Sequence, residues 1–302
     1  MEFLKTGYPV SDTSFQDMMD FYTSYFEARL DDYIKESGNE SKDYKSLSEA
    51  FSYSLDAGGK RIRPVLVYDF CRACGGNIDD ATPAALAIEM IHTFSLIHDD
   101  LPCMDDDDMR RGRPSCHKAY GEATALLAGD ALTINAFNVL ASSNLDAQKV
   151  KQTVKVLSEC SYKMTGGQVV DIDGDIQDTE TLLKMYSYKT SQLIIASCLM
   201  GCIVAGADDK LKSAAYDYAY NLGLAFQIID DILDVTSDKE TLGKPIGSDE
   251  KQNKNTMVTL VGLDKAREMA KMYSDMSMES LDCFSDNRFI TALTNILLGR
   301  KK

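Results

Sequence analysis

Two apolar helical stretches in this chain each run into a cluster of aspartates, at 99–105 and at 230–234. Adjacent carboxylates repel one another, and at the C-terminal end of a helix they also oppose its macrodipole. A fold that keeps both clusters has to set a cation against them. Magnesium is the natural candidate, because it takes hard oxygen ligands from one or two carboxylates together with substrate phosphates. Arg110 and Arg111 follow the first cluster directly. A basic pair beside an acidic one points to a metal that carries an anionic passenger.

The second cluster has the cleaner geometry. Gln227, Asp230, Asp231 and Asp234 fall at i, i+3, i+4 and i+7, which is one helix face. Gly223 extends that face backwards and leaves it open. Leu222, Phe226, Ile229 and Leu233 form a separate apolar stripe. The first cluster cannot be a regular helix throughout. Pro102 lacks an amide and disfavours a helical conformation in the residue before it. A loop there would bring Asp105 back beside Asp99. His92, Ser95 and Asp99 share one face at i, i+3 and i+7, so His92 looks toward the same cavity, where contact with a ligand and an ordinary core role are equally open.

The cationic complement lies elsewhere. Gly58 and Gly59 stop one helix before Pro64 starts another, and a glycine turn lets backbone approach a ligand closely. Lys60 and Arg63 in that turn can grip a phosphate as a point charge and a bidentate fork. Lys189 and Thr190 precede an apolar run, and Lys244 and Lys254 follow the second cluster. Such a set suits a polyanion held partly by metal and partly by protein. Asp171, Asp173 and Asp175 imitate the opening of a calcium loop, but Ile176 and Leu182 stand where glycine and a bidentate acid are needed.

Composition excludes other classes. With 47 acidic and 32 basic residues, a formal net charge of -15, the chain lacks the basic footprint of a nucleic-acid binder or of a protein that docks on anionic lipid. The longest weakly polar run, 193–207, is shorter than the roughly 20 residues of a membrane span, so stable membrane insertion is not expected. The eight cysteines form no zinc-spaced set with the three histidines, and Cys198 and Cys202 read as core. No secretory segment opens the chain, so a cytoplasmic protein with free thiols is expected. Six prolines and 3.6-residue periodicity predict helices over 15–36, 44–57, 64–75, 82–100, 117–143, 146–166, 179–206, 208–236, 257–278 and 287–298. The fold class is all-α, with residues 1–302 as a single domain.

Taken in chain order, these stretches resemble the trans-isoprenyl diphosphate synthases, and most closely the bacterial farnesyl type. The matching stretches are 58–64, 92–105 with Arg110 and Arg111, 121–132, Lys189–Thr190, 226–234 and 242–249. The resemblance implies a helical bundle around a central cavity, a homodimer, and condensation of isopentenyl diphosphate with dimethylallyl or geranyl diphosphate. It implies magnesium, three ions with substrate bound, on Asp99, Asp105 and Asp230, with Asp100, Asp231 and Asp234 in support. Arg110, Lys189, Thr190, Gln227, Lys244 and Lys254 would meet the allylic diphosphate. Lys60, Arg63, His92 and Arg111 would meet isopentenyl diphosphate. Gln168 and Asp171 match a further stretch facing the cavity, and the basic end at 300–302 resembles a closing tail.

Chemistry follows from that assignment. Metal-assisted departure of diphosphate leaves an allylic cation, the isopentenyl double bond attacks it, and a proton is lost. Product length is expected to be set beneath the first cluster, at Phe94 and Ser95. Phe94 lies five residues before Asp99, about 7.5 Å along the axis but about 140° round from it; the resemblance, rather than ideal geometry, picks it out as the stop for a fifteen-carbon product. A geranylgeranyl diphosphate synthase, a terpene cyclase of the same fold and a non-catalytic synthase subunit are the alternatives. The cyclase would not need the turn at 58–64, and the subunit would be expected to lose acids that are intact here.

Overall fold

The computed structural model describes residues 13–40, 42–236 and 255–299. Lys244, Lys254 and the tail at 300–302 lie outside them. The architecture is all-α, as the periodicity predicts. The helices are α1 (Phe15–Glu40), α2 (Lys45–Leu55), α3 (Ile62–Ala73), α4 (Ile78–Asp99), α5 (Cys116–Tyr120), α6 (Glu122–Ala141), α7 (Ala147–Asp173) and α8 (Thr179–Tyr186), then α9 (Gln192–Ala205), α10 (Asp209–Thr236), α11 (Met257–Val261), α12 (Leu263–Ser280) and α13 (Arg288–Leu298).

α4 is the central post. Its residues 84–91 are buried on every side, which is the pattern of a helix surrounded by other helices. It packs on α3 and α6, while α9 fills the space between α3, α7 and α10. α4 starts four residues earlier than its apolar pattern predicts, because the Asn77 side chain accepts a hydrogen bond from the Asp79 amide and caps the helix. A second apolar cluster, with Leu182, Tyr186, Ile228 and Met257, joins α8, α10, α11 and α12.

Three expected helices are not continuous. The stretch 117–143 breaks at Gly121 and 257–278 breaks at Gly262, each at positive φ. The stretch 179–206 carries a π-helical turn, Ser187–Ser191, between α8 and α9. α7 instead runs on past Gly166 and Gly167 to Asp173. The 193–207 run is core, as expected, but it belongs to a helical stretch of 27 residues, Thr179–Ala205, that is long and apolar enough to cross a membrane and is 72% buried. α6 also meets that length and composition test, with 33% buried.

A hairpin, β1 (Met109–Arg110) with β2 (Arg113–Pro114), has no counterpart in the helical reading. Its two-residue loop, Arg111–Gly112, has positive φ at both positions, as tight hairpins require. The hairpin turns Arg111 back toward the Gly58–Gly59 turn.

Candidate active site

The first cluster folds as Pro102 predicts. α4 ends at Asp99, and the chain doubles back so that the Asp105 amide donates to the Asp99 carbonyl at 2.8 Å. Asp99 lines a central cavity of ≈ 460 Å³, and Asp105 is exposed beside it. Burial pushes the Asp99 carboxyl up to about 6; Lys189 opposes that shift and Asp105 adds to it. A carboxylate so placed ionises best with a cation on it.

Asp100 has a different neighbourhood. It is 2% exposed, and the Arg110 guanidinium donates to it through Nε at 2.9 Å and through Nη2. Arg110 also reaches Asp107 at 3.3 Å. Here, then, the side chain expected at the allylic diphosphate ties the acidic loop to the end of α4.

The second cluster divides in the same way. Asp231 is buried, accepting from the Tyr186 hydroxyl and from the Met257 amide at 2.7 Å. Asp230 and Asp234 are half-buried one turn apart on α10. Gly223 does not leave the face open. A Cβ there would lie 2.6 Å from Ser191 Cα, so α10 and the π turn touch backbone to side chain. On the other side, a Cβ on Gly167 would lie 2.5 Å from the Lys189 amide nitrogen. Seated between these glycines, Lys189 Nζ donates to Asp171 at 2.7 Å and Thr190 Oγ1 donates to Gln227 at 3.0 Å. Asp171, rejected above as a calcium ligand, is therefore an ion-pair partner.

Cations gather in a second cavity that shares Arg63 and His92 with the central one. Lys60, Arg63, His92 and Arg111 line one cavity of ≈ 340 Å³ together with Glu89 and Arg61. Arg61 is buried with left-handed φ, and donates to Glu89 at 2.7 Å and Glu27 at 2.7 Å. That clamp fixes the turn from which Lys60 and Arg63 project. Arg111 donates to the Gly58 carbonyl. Partial desolvation in the cradle pulls the guanidiniums of the half-buried Arg63 and the exposed Arg111 down from their ordinary value, against the opposing charge of Glu89. His92 falls well below its usual range, first because it is buried and then because Arg63, Arg111, Arg61 and Arg110 surround it. A neutral imidazole there can offer an N–H without adding charge.

The central cavity meets both polar walls and is otherwise apolar. His92, Phe94, Ser95 and Asp99 all line it, with Met164 and Gln168 from α7, Leu193 from α9 and Phe226 from α10. Phe94 reaches it despite its angular distance from Asp99, because the cavity wraps a broad arc of α4. Ser95 donates to the His92 carbonyl at 2.9 Å. Glu89, Arg61, Tyr186 and Met257 were not singled out from the sequence. Only Glu89, one turn before His92, carried a local signal. Asp106, Asp108 and His117 also come within 4.8 Å of one another, apart from the acids above; there Asp108 pairs with Lys118 at 2.7 Å.

The family profile described as polyprenyl synthetase matches residues 44–286. The chain is 42% identical over 263 residues to a chloroplastic geranylgeranyl pyrophosphate synthase of Catharanthus roseus, covering 84% of this chain and 74% of that one. It is also 42% identical over 245 residues to a farnesyl diphosphate synthase of Geobacillus stearothermophilus, covering 78% and 82%. A geranyltransferase of Helicobacter pylori, solved in complex with magnesium and isoprenyl diphosphate, superposes with a TM-score of 0.77 at 33% identity, covering 96% of this chain and 98% of that one.

Proposed function

Because this chain belongs to the polyprenyl synthetase family and is a prenyl diphosphate synthase, we propose that it condenses isopentenyl diphosphate with dimethylallyl and then geranyl diphosphate, and releases farnesyl diphosphate. The observation that carries the product is the position of Phe94, in the cavity wall below Asp99. The equal identity to a geranylgeranyl and a farnesyl synthase does not separate the two products, and geranylgeranyl diphosphate is the second reading. A cyclase acting on one diphosphate would have no use for the second cradle of Lys60, Arg63, His92 and Arg111.

The isopentenyl diphosphate sits in that cradle, where the half-buried Arg63, the exposed Lys60 and Arg111 and a neutral imidazole face its charge. The allylic diphosphate sits against Lys189, Thr190 and Gln227, with Lys244 and Lys254 as further contacts. Oxygen donors on Asp99, Asp105 and Asp230 suit magnesium, three ions in the filled site, which when bound makes the diphosphate a leaving group. The apolar cavity keeps water from the allylic cation. A homodimer is part of this reading, supported by the outward apolar face of α6, where Leu127 is 56% and Ile134 68% exposed.

Product chromatography with dimethylallyl and geranyl diphosphate as separate starters tests the assignment. Farnesyl diphosphate should accumulate from both, and Phe94→Ala should lengthen the product. Geranylgeranyl diphosphate as the main wild-type product would replace the farnesyl reading with the second one.

A further inference from the structure

A phenyl ring in a cavity wall stops a growing chain only if something keeps it from swinging aside. Phe94 has such a partner one turn along α4. The His98 ring lies 5.6 Å from it, centroid to centroid, at 78°, an edge-to-face contact between i and i+4 neighbours. His98 is itself held from a second helix. Its Nε2 lies 3.0 Å from the Leu126 carbonyl oxygen on α6. A carbonyl can only accept, so Nε2 is the protonated nitrogen and the ring has one orientation. The next turn of α6 shapes the seat. A Cβ on Gly129 would stand 2.5 Å from His98 Cδ2 and 2.9 Å from Cε1, so the imidazole occupies the space a side chain would take. Phe94, His98 and Leu126 all line the central cavity.

We propose that His98 is a positioning residue for product length: seated in the Gly129 notch and bonded to the Leu126 carbonyl, it braces the Phe94 ring across the path of the growing chain. This rests on the reading of Phe94 as the cavity floor, and adds that the floor is a two-ring device anchored on α6. Without His98, the Phe94 ring has room to turn toward α6 and a further isoprene unit can enter. Gly129→Ala does the same from the opposite side, since it evicts the imidazole while leaving both rings in the chain.

The test measures product length for wild type, His98→Ala, His98→Gln, Gly129→Ala, Phe94→Ala and the Phe94→Ala/His98→Ala double variant, each checked for helicity. His98→Ala and Gly129→Ala should raise the ratio of twenty- to fifteen-carbon product about tenfold, the scale expected for one ring contact and one hydrogen bond of ordinary strength. His98→Gln keeps an N–H for Leu126 but lacks the ring; it should lengthen the product less, and it serves if a smaller side chain does not fold. The double variant should go no further than Phe94→Ala alone, because His98 acts through Phe94. An unchanged ratio in the folded His98 variants overturns the proposal, as does lengthening in the double variant that adds to that of Phe94→Ala. Lengthening by His98→Ala with none by Phe94→Ala also overturns it, since His98 would then be the stop itself. If wild type already makes the twenty-carbon product, the farnesyl reading fails separately, and the brace stands or falls on whether His98→Ala carries the product beyond twenty carbons.

Discussion

The two aspartate clusters reach one arrangement by opposite routes. On α10 the helix continues through Asp230, Asp231 and Asp234, and 3.6-residue spacing alone sets which carboxylates share a side. After α4 the helix stops at Asp99, and a turn through Pro102 carries Asp105 back to it. In both places the second aspartate of the adjacent pair is the more buried one, although Asp231 still lines a pocket with Lys189, Thr190 and Gln227. Asp100 anchors Arg110, and Asp231 anchors the Tyr186 hydroxyl and the Met257 amide. Two neighbouring carboxylates cannot both face one cation on a helix without crowding. The fold gives the more buried one a structural task, and each pair is better read as one acid held inside the protein and one more exposed.

That division can be broken by substitution. The largest effect is expected on catalysis at Asp99: Asp99→Asn should lower kcat by about 10²–10³-fold, the scale of removing one preorganised charge contact, with little change in the denaturation midpoint. Asp231→Ala should do the reverse in emphasis, costing about 2–5 kcal/mol in chemical denaturation because two buried donors lose their acceptor. Asp100→Asn should cost roughly 1–3 kcal/mol, less because the Arg110 side chain is 27% exposed and water can replace part of the pair. Equal stability losses at Asp99 and Asp231 would dissolve the distinction.

The smallest effect sharpens the contrast between the acidic and cationic walls. His92 is depressed in the folded protein, so the unfolded chain binds a proton near pH 6.5 that the folded one refuses. Its contribution is in place above that value and is lost as pH falls below it, by about 1.4 kcal/mol per pH unit until His92 itself protonates. An imidazole NMR titration of the ligand-free protein should find His92 still neutral at pH 6; a midpoint near 6.5 would mean that neither desolvation nor the surrounding arginines are felt.

Much of this was legible before the fold. The helical class and the doubling back at Pro102 follow from spacing and turn chemistry, whereas the convergence of Lys60, Arg63 and His92 is what the family resemblance implies. What was not legible lies in partners remote along the chain. Asp231 finds Tyr186 and Met257 at separations of 45 and 26 residues, and no local pattern announces either. Gly223 was read as an open face because a glycine leaves no trace of the residue that fills its space, here Ser191. Ideal helix geometry alone does not choose Phe94, which the resemblance picks out, because one helix cannot reveal how wide a cavity will curl around it. The hairpin at 109–114 is too short for periodicity to detect, although Arg111–Gly112 carries a loop signal.

The π turn at Ser187–Ser191 has a consequence for anyone who alters this chain. A wide turn of this kind is what one surplus residue does to an α-helix. The surplus is taken up inside the wide turn itself, so that Lys189 meets α7 and Thr190 meets α10 while Leu193 still faces the apolar cavity. Deleting one residue of Ser187–Ser191 would return the turn to ordinary α-helical spacing and leave α9 seated on its neighbours, while Lys189 and Thr190 would no longer both reach Asp171 and Gln227. The fold would survive the loss of a residue here, and the polar wall would not.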